Sequence, residues 1–334
     1  MADQRQEALI GLGRMLKSAG YRFTTCAPLS HEIVNQRPGN ELAASPTDIF
    51  GWSRPFAQEA VAGALLEVMD AAGVLEPQGS LLKSTVRFST LGPLLLAHSA
   101  FPTTRQDSVF FGPDTYRTCR AIQAEFLRDR KFLPDVIVDV GAGAGAVGLY
   151  AASLLPNRPR VILTDISAAS LWMSEVNTRL NDIAAVEIRH SDILDNVPEA
   201  ADLILSNPPF LVDRSGRTYR DGGGPWGTDI ACRIVAQASA SLNQGGRLML
   251  YTGTPIVEGA DILARMLDPI VDRNAWSLDY AEVDPDIFPE ELFREPYSKA
   301  DRIAAVFMVL AQARKDSAAG RARPHDPGGF IDGA

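Results

Sequence analysis

Val136-Ile137-Val138-Asp139-Val140-Gly141-Ala142-Gly143-Ala144-Gly145 is a β-branched apolar run that enters a glycine-rich turn. Val161-Ile162-Leu163-Thr164-Asp165 follows it, and Leu203-Ile204-Leu205-Ser206-Asn207-Pro208-Pro209-Phe210 comes later. A strand that passes through glycines into a helix brings backbone N–H groups close to a ligand at the carboxyl edge of a parallel sheet. The three segments therefore predict a site for a nucleoside cofactor at that edge.

The glycine spacing and a later tetrapeptide separate this pattern from that of a dinucleotide-binding enzyme. The turn reads Gly141-x-Gly143-x-Gly145 and lacks the wider G-x-G-x-x-G spacing. An acid that ends the next strand, here Asp165, can accept hydrogen bonds from two ribose hydroxyls in either kind of enzyme. Asn207-Pro208-Pro209-Phe210 ends a further strand, and a pyrophosphate-binding turn has no use for it. The cofactor is therefore expected to be a nucleoside other than a dinucleotide.

Over roughly residues 105 to 312 these segments resemble the class I S-adenosylmethionine-dependent methyltransferases. Asn207-Pro208-Pro209-Phe210 is similar to the Asn-Pro-Pro-aromatic signature of the branch that methylates planar nitrogens, namely glutamine side-chain amides in release factors and exocyclic amines of adenine or guanine. The resemblance implies S-adenosylmethionine as the cofactor and an α/β, Rossmann-like catalytic domain.

The resemblance also implies which residues bind the cofactor. Asp139 would hold the ammonium of the methionine part, Asp165 the ribose and Asp192 the adenine amino group, while an apolar neighbour of Asp192 packs on the ring. The full set is Asp139, Gly141, Gly143, Gly145, Asp165, Ile166, Asp192, Ile193 and Asn207. Each aspartate has an alternative role as a cap of nearby backbone N–H groups.

Asn207 is the residue with the most specific predicted chemistry. The two prolines that follow it fix their own φ and bias Asn207 toward an extended conformation, so its carboxamide can be aimed with little entropy left to lose. A carboxamide oxygen that accepts a hydrogen bond from a substrate N–H keeps the nitrogen lone pair directed at an electrophile. The candidate catalytic residues are Asn207, Pro208, Phe210, as an apolar wall or stacking face, and Tyr116.

Two segments are candidates to close the pocket over the acceptor. Residues 211–226 form a polar stretch with a triple-glycine hinge and two large aromatics, which favours a lid, with a solvated loop as the alternative. Residues 110–116 precede the helix that leads into the cofactor strand, and an aromatic stripe of this kind can instead be core. The candidates are Phe111, Asp114, Thr115, Tyr219, Arg220 and Trp226.

The composition excludes several classes of partner. The chain has 334 residues and a net charge of −9, and residues 1–90 hold eight basic and nine acidic residues. Nucleic acid is therefore an unexpected partner. The three cysteines and four histidines show no metal-binding spacing, so no metal site is expected. No signal core or membrane-length apolar stretch is present, which predicts a cytoplasmic protein without membrane contact.

The pattern of elements predicts three parts. Residues 1–104 read as a smaller α+β, winged-helix-like cap domain in which helices are followed by one hairpin, with residues 81–88 as its second strand. Residues 105–314 read as the cofactor-binding domain, a mainly parallel sheet with helices on both faces and strands at 136–140, 161–164, 186–189, 203–206, 247–252, 275–282 and 303–310. Residues 315–334 read as a disordered tail.

Two functions of different reaction class fit these observations. The first is an N-methyltransferase that acts on a planar amide or amino nitrogen of a small or peptide-like acceptor. The second follows from a resemblance to azetidine-2-carboxylate synthases, which consume S-adenosylmethionine alone and release methylthioadenosine. Rings at Phe110, Phe111, Tyr116, Phe210, Tyr219 and Trp226 would then surround the sulfonium. A binding module without catalysis is a third alternative, against which the intact Asn207 motif argues.

Overall fold

The computed structural model describes residues 2–213, 217 and 219–313. The N-terminal part holds four helices, α1 (Ala2–Ser18), α2 (Pro28–Asn35), α3 (Pro46–Phe50) and α4 (Gly63–Ala71). Two antiparallel hairpins follow, β1 (Leu75–Gln78) with β2 (Leu81–Ser84), and β3 (Val86–Leu91) with β4 (Leu94–Ser99). A short 3-10 helix, Gln58–Ala60, precedes α4.

The predicted second strand over residues 81–88 is wrong as a single element. The chain breaks between β2 and β3, where the Ser84 hydroxyl accepts a hydrogen bond from the Val86 N–H at 3.2 Å and donates one to the Val86 carbonyl at 2.8 Å. This local bonding replaces ladder bonds and turns the chain into a second hairpin. Apolar periodicity does not detect such a break, because apolar residues occur both before it, at Leu81 and Leu82, and after it, at Val86 and Phe88.

The part of the chain that follows β4 is built on one large sheet. Its strands are β5 (Val136–Val140), β6 (Arg160–Asp165), β7 (Val186–His190), β8 (Ala201–Ser206), β9 (Leu242–Val257), β10 (Ala260–Asp261), β11 (Trp276–Asp284) and β12 (Arg302–Gln312). The spatial order is β11-β12-β9-β8-β5-β6-β7, with β10 paired to β9. Strands β9, β8, β5, β6 and β7 run parallel, and β12 inserts antiparallel between β11 and β9. The chain leaves β5 toward β6 and returns on its other side as β8, so the carboxyl ends of β5 and β8 form a switch point at which ligands bind.

Helices cover both faces of the sheet. They are α5 (Pro113–Arg128), α6 (Ala146–Leu154), α7 (Ala168–Leu180), α8 (Asp229–Ser241) and α9 (Ile262–Leu267). Ile137 and Leu203 pack with α5 and α6 in one buried cluster, whereas their neighbours Val138 and Ile204 pack with α8 and α9 in another. This alternation is the period of a strand buried on both faces. The predicted α/β, Rossmann-like class is therefore confirmed.

The N-terminal helices and hairpins share a hydrophobic core with α7. Leu9 of α1, Phe88 of β3 and Leu180 of α7 belong to the same buried cluster. The Asn177 carboxamide of α7 donates to the Ala97 carbonyl at 2.9 Å and accepts from the Ala97 N–H at 2.7 Å. The N-terminal part is thereby held against the helix that follows Asp165.

In the described ranges, none of the helices combines the length and the apolar character needed to cross a bilayer. Short 3-10 helices at Pro289–Phe293 and Tyr297–Lys299 connect β11 to β12. The predicted tail, residues 315–334, lies outside the described residues.

Candidate cofactor-binding site

The glycine turn between β5 and α6 forms the floor of a cavity at the carboxyl edge of the sheet. Gly141, Gly143 and Gly145 have φ of 68°, 56° and 75°, a region that favours glycine. A Cβ atom on Gly141 or Gly143 would meet no atom within 4 Å, and both residues line the cavity. Gly145 does not line the cavity. A Cβ atom on Gly145 would lie only 3.0 Å from the Leu163 side chain. Gly145 is therefore placed to pack α6 on β6, and its expected cofactor contact stays a prediction.

Asp139 lies beneath the turn and outside the cavity lining. It shares a strand face with Ile137, the face that α6 covers, and its side chain is fully buried. One carboxylate oxygen accepts a hydrogen bond from the Gly148 N–H at 2.8 Å. Burial raises the pKa of this carboxyl to about 7. The Asp139 carboxylate thus caps one backbone N–H of α6, and its contact with the methionine ammonium stays a prediction.

Asp165 lines the cavity at the end of β6. Its Oδ2 accepts from the Gly143 N–H at 2.9 Å, and its Oδ1 accepts from the Ser167 N–H at 2.8 Å. Each carboxylate oxygen has a second lone pair available for a ligand hydroxyl. The N-cap of α7 is Ser167, whose hydroxyl accepts from the Ser170 N–H, so Asp165 is not that cap. Burial raises the pKa of the Asp165 carboxyl.

Residues 191–193 and Ile166 form the wall next to Asp165. Ile166 is 53% exposed although it is apolar, and Ile193 has a φ of 51°. Both line the cavity together with Asp192. The Asp192 carboxylate pairs with Arg233 of α8 at 2.8 Å, and both side chains are about half exposed, so this pair is weak and open to a ligand.

Asn207 follows β8 on the other side of the switch point. The Ser206 hydroxyl donates to the Val140 carbonyl at 2.8 Å and so fixes the end of β8 against β5. Asn207, Pro208 and Pro209 line the cavity. In the part of the chain that the structure describes, the Asn207 carboxamide forms no hydrogen bond, so it is available to a ligand in the cavity that Asn207 lines.

Phe210 does not contribute a wall to this cavity. Its ring is buried against Gly253 of β9, where a Cβ atom would come within 2.4 Å of the ring, and lies 5.9 Å from the Phe288 ring. The two prolines direct the chain so that the aromatic side chain enters the core under the loop. Phe210 packs in the core here, and its role as an apolar wall or stacking face stays a prediction.

The segment before α5 contributes Phe110 and Thr115 to the cavity, and not Phe111, Asp114 or Tyr116. Phe111 is buried and stacks on His98 at a centroid distance of 5.0 Å. Pro113 starts α5, and with the helical period Thr115 lines the cavity while its neighbours Asp114 and Tyr116 do not.

Asp114 and Tyr116 are committed to contacts elsewhere. Asp114 accepts from the Tyr251 hydroxyl at 2.8 Å. The Tyr116 hydroxyl donates to the Thr90 carbonyl at 3.1 Å and accepts from the Thr25 N–H at 3.2 Å, so it joins α5 to the N-terminal part. The expected catalytic role of Tyr116 stays a prediction.

Tyr219 is the residue of the predicted lid that reaches the cavity. Its hydroxyl donates to the Thr103 carbonyl at 2.6 Å, and its ring lies nearly parallel to the Phe110 ring at 6.2 Å. Arg220 instead pairs with the buried Glu291, and Trp226 packs near Tyr297. These two residues do not line the cavity, and their expected acceptor contacts stay predictions. Residues 214–216 and 218 of this segment lie outside the described residues.

Several cavity residues have no signal in the sequence. Ser108, Ser167 and Ser170 line the cavity, as do Ile230 and Ile234 on α8. The two isoleucines lie on the buried stripe of α8, which cannot be distinguished from ordinary core in a sequence. Among the described residues, no group of three or more His, Cys, Asp or Glu side chains is placed to hold a metal ion.

Comparisons with known proteins match the segment that builds this site. Residues 122–267 match the family model described as the methyltransferase small domain. The chain is 34% identical over 131 residues to the release factor glutamine methyltransferase of Cereibacter sphaeroides, covering 35% of this chain and 46% of that protein. It is 31% identical over 116 residues to the ribosomal RNA small subunit methyltransferase C of Haemophilus influenzae, covering 34% of this chain and 31% of that protein.

The matched part spans less than half the length of each of these two relatives. A solved structure, the Thermus thermophilus 16S rRNA N2 G1207 methyltransferase in complex with AdoMet and guanosine, is 16% identical, with 78% of this chain and 64% of that chain covered and a TM-score of 0.44. The segment over residues 122–267 is therefore similar to the methyltransferase small domain, and less than half of this chain takes part in that match.

Proposed function

We propose that this protein is an N-methyltransferase that uses S-adenosylmethionine and acts on a planar amide or amino nitrogen of a peptide-like acceptor. The observation that carries the proposal is the position of Asn207. Its carboxamide has no hydrogen-bond partner in the described part of the chain and faces the same cavity as Asp165 and the glycine turn. An amide held at the end of a buried strand is suited to positioning a nitrogen and has no evident structural task.

The cavity fits the cofactor by the chemistry of its walls. Asp165 offers two carboxylate oxygens to the ribose hydroxyls, and the open space above Gly141 and Gly143 admits a ligand close to the backbone. Ile166 and Ile193 offer apolar surface for the adenine ring. When bound, the cofactor supplies a sulfonium whose methyl carbon is electrophilic.

Asn207 would accept a hydrogen bond from the acceptor N–H through its side-chain oxygen. This contact holds the nitrogen lone pair toward the methyl carbon without removal of a proton before attack. Phe110 and Tyr219 close the cavity above and limit the entry of water. The contribution of the protein is then mainly orientation, for which effective molarities of about 10⁵ M or more are attainable.

The class of acceptor is inferred from the names of the relatives and from the net charge of the chain. The names of the relatives include both a protein glutamine methyltransferase and an rRNA methyltransferase. The second name weakens the expectation, drawn from net charge, that nucleic acid is excluded. The chain carries a net charge of −9, which still favours a peptide-like acceptor over a polyphosphate.

Replacement of Asn207 tests the proposal. The protein is incubated with S-adenosylmethionine and a pool of N-acetylated, C-amidated octapeptides that carry a central glutamine, and S-adenosylhomocysteine is quantified. Asn207→Ala should lower methyl transfer by at least about 10²-fold, with S-adenosylhomocysteine affinity nearly unchanged. The control is Asn243→Ala, whose side chain bonds to Asp202 at the opposite edge of the sheet. Full activity of Asn207→Ala would contradict the assigned role.

The same assay distinguishes the cyclase alternative. Of the six rings expected to surround the sulfonium, only Phe110 and Tyr219 line the described cavity, so the structure does not favour that chemistry. Methylthioadenosine released from S-adenosylmethionine alone, together with weaker cofactor binding in Asn207→Ala, would replace the methyltransferase proposal with the cyclase.

A further inference from the structure

A second and larger cleft lies beside the cofactor cavity. It has a volume of about 780 Å³ and is bounded by the β1–β2 hairpin, by the chain between β4 and α5, and by α7. Apart from Ser108, none of the residues that line this cleft is assigned above to the cofactor or to the reacting nitrogen.

The cleft and the cofactor cavity share a wall. Ser108 lines both of them. On the first turn of α7, Ala169 lines the cleft and the next residue, Ser170, lines the cavity. A chain that occupies the cleft can therefore continue past Ser108 toward the space under Phe110, where the methyl donor is expected.

Two cations in the cleft form no ion pair with any described carboxylate. The half-buried Lys83 ammonium donates to the Phe101 carbonyl at 2.8 Å, and the Arg5 guanidinium donates to the Gly73 carbonyl at 3.4 Å. Burial lowers the pKa of Lys83, because desolvation penalises its charged form, while Glu76, its partner across the β1–β2 ladder, acts in the opposite direction without an ion-pair contact. A carboxylate delivered by a ligand would replace the lost hydration, and an unpaired, partly buried cation in a chain of net charge −9 is suited to such a ligand.

The remaining charges in the cleft argue against a phosphate backbone. Arg105 is already paired with Asp107 at 3.0 Å, and Glu76 adds a second carboxylate to the lining. Nucleic-acid binding needs several cations that neutralise successive phosphates. One carboxylate on an extended polypeptide needs only the local positive charge of Lys83 and Arg5.

We infer that this cleft binds the acceptor as an extended polypeptide segment that carries an acidic side chain, gripped by Lys83 and Arg5. The inference rests on the proposed function for the nitrogen that is methylated, and it adds the site and chemical class of the rest of the acceptor. An extended chain advances about 3.3 Å per residue, so a few residues separate the acidic side chain from the reacting nitrogen.

The test uses octapeptides with a central glutamine and a single glutamate placed in turn at each other position, and a neutral peptide with glutamine instead. Binding to the full chain is measured by fluorescence anisotropy with S-adenosylhomocysteine present, and methyl transfer is measured with S-adenosylmethionine. At one or two positions the glutamate should tighten binding at least about tenfold. Lys83→Gln should abolish that preference and leave S-adenosylhomocysteine affinity unchanged. Lys17→Gln, an exposed lysine of α1 outside the cleft, is the matched control.

The outcomes separate this inference from the proposed function. Glutamate-dependent binding that requires Lys83, without methyl transfer, supports the cleft and contradicts the N-methyltransferase proposal. Methyl transfer with no glutamate preference, or with equal preference in Lys83→Gln, overturns the cleft assignment and leaves the proposed function standing. Displacement of bound peptide by single-stranded RNA, with RNA binding lost in Lys83→Gln, overturns the polypeptide class.

Discussion

At the residue scale, two aspartates that end neighbouring strands have opposite environments. Asp139 is fully buried under α6 and accepts one backbone hydrogen bond, and burial raises the pKa of its carboxyl to about 7. Asp165 faces the cavity and accepts a hydrogen bond on each oxygen. The same residue type therefore acts as a structural cap in one strand and is proposed as a ribose ligand in the next.

The raised pKa of Asp139 predicts a pH-dependent stability difference. A folded-state pKa of about 7, above the unfolded value of about 3.9, means that the folded chain binds the proton more tightly. The contribution of this bound proton to the free energy of unfolding is complete below pH 4 and is lost as the pH rises to 7. Asp139→Asn removes this loss, so from pH 4 to pH 8 the variant should gain roughly 2–4 kcal/mol in unfolding free energy relative to the unaltered chain. Urea unfolding of both chains across this range checks the prediction, and a difference that is constant with pH would contradict it.

The predicted residues that do line the cavity include those whose positions are fixed by the end of a strand or by a turn. Gly141, Gly143, Asp165 and Asn207 follow directly from the strand period and from the turn chemistry. Phe210 and Tyr116 do not line this cavity, because the direction of a side chain after a turn, or one turn into a helix, depends on what packs against it. Gly253 provides space for Phe210 from a strand far along the chain, and no local pattern reveals that contact.

At the element scale, the position of α6 depends on close approach to the sheet. Gly148 lies in the helix interior, where a Cβ atom would come within 2.7 Å of Leu163 and 3.0 Å of Asp139. Its N–H is also the donor to Asp139. The small residue lets α6 lie directly on β5 and β6 and so sets the height of the glycine turn above the sheet.

Alanine in place of two helical glycines should change the free energy of unfolding in opposite directions. Gly148→Ala should lower the unfolding free energy by roughly 1–3 kcal/mol, because the added methyl overpacks the contact between α6 and the sheet. Gly11→Ala in α1, where no atom lies within 4 Å of the added Cβ, should raise it by about 0.5–1 kcal/mol through helix propensity. Urea unfolding of the two variants provides the comparison. Equal effects in both would show that α6 does not approach the sheet as described.

At the scale of the whole molecule, the N-terminal part and the part that follows β4 are joined by buried polar groups as well as by apolar contacts. The Asn177 side chain bonds to the N–H and carbonyl of Ala97 and also donates to the Ala144 carbonyl at 2.8 Å. Ala144 belongs to the glycine turn, so the N-terminal hairpin and the cofactor loop are held by one side chain. Sequence patterns predicted both parts, but this contact joins residues 80 positions apart and has no local signature.

Loss of this contact should destabilise the whole molecule. Asn177→Ala leaves three buried backbone groups without a partner, and we expect a loss of roughly 2–4 kcal/mol in unfolding free energy. Asn157→Ala, which removes a part-buried hydrogen bond to the Pro134 carbonyl and a long, exposed one to Asp135, should cost about 1 kcal/mol. Coincident urea transitions by circular dichroism and tryptophan fluorescence are expected for both. An unchanged midpoint for Asn177→Ala would mean that the two parts are not coupled through α7.

The central claim is that the carboxyl edge of this sheet holds the nucleoside of S-adenosylmethionine through Asp165. Calorimetric titration with S-adenosylhomocysteine tests it most directly, with Asp165→Asn beside the exposed Asp268→Asn as control and with thermal unfolding to verify that each variant is folded. The unaltered chain and Asp268→Asn should bind one ligand with equal affinity, and Asp165→Asn should bind at least about 100-fold more weakly, since charge-assisted hydrogen bonds to the ribose are lost. Absence of binding to the unaltered chain, or unchanged affinity in a folded Asp165→Asn, would contradict the account.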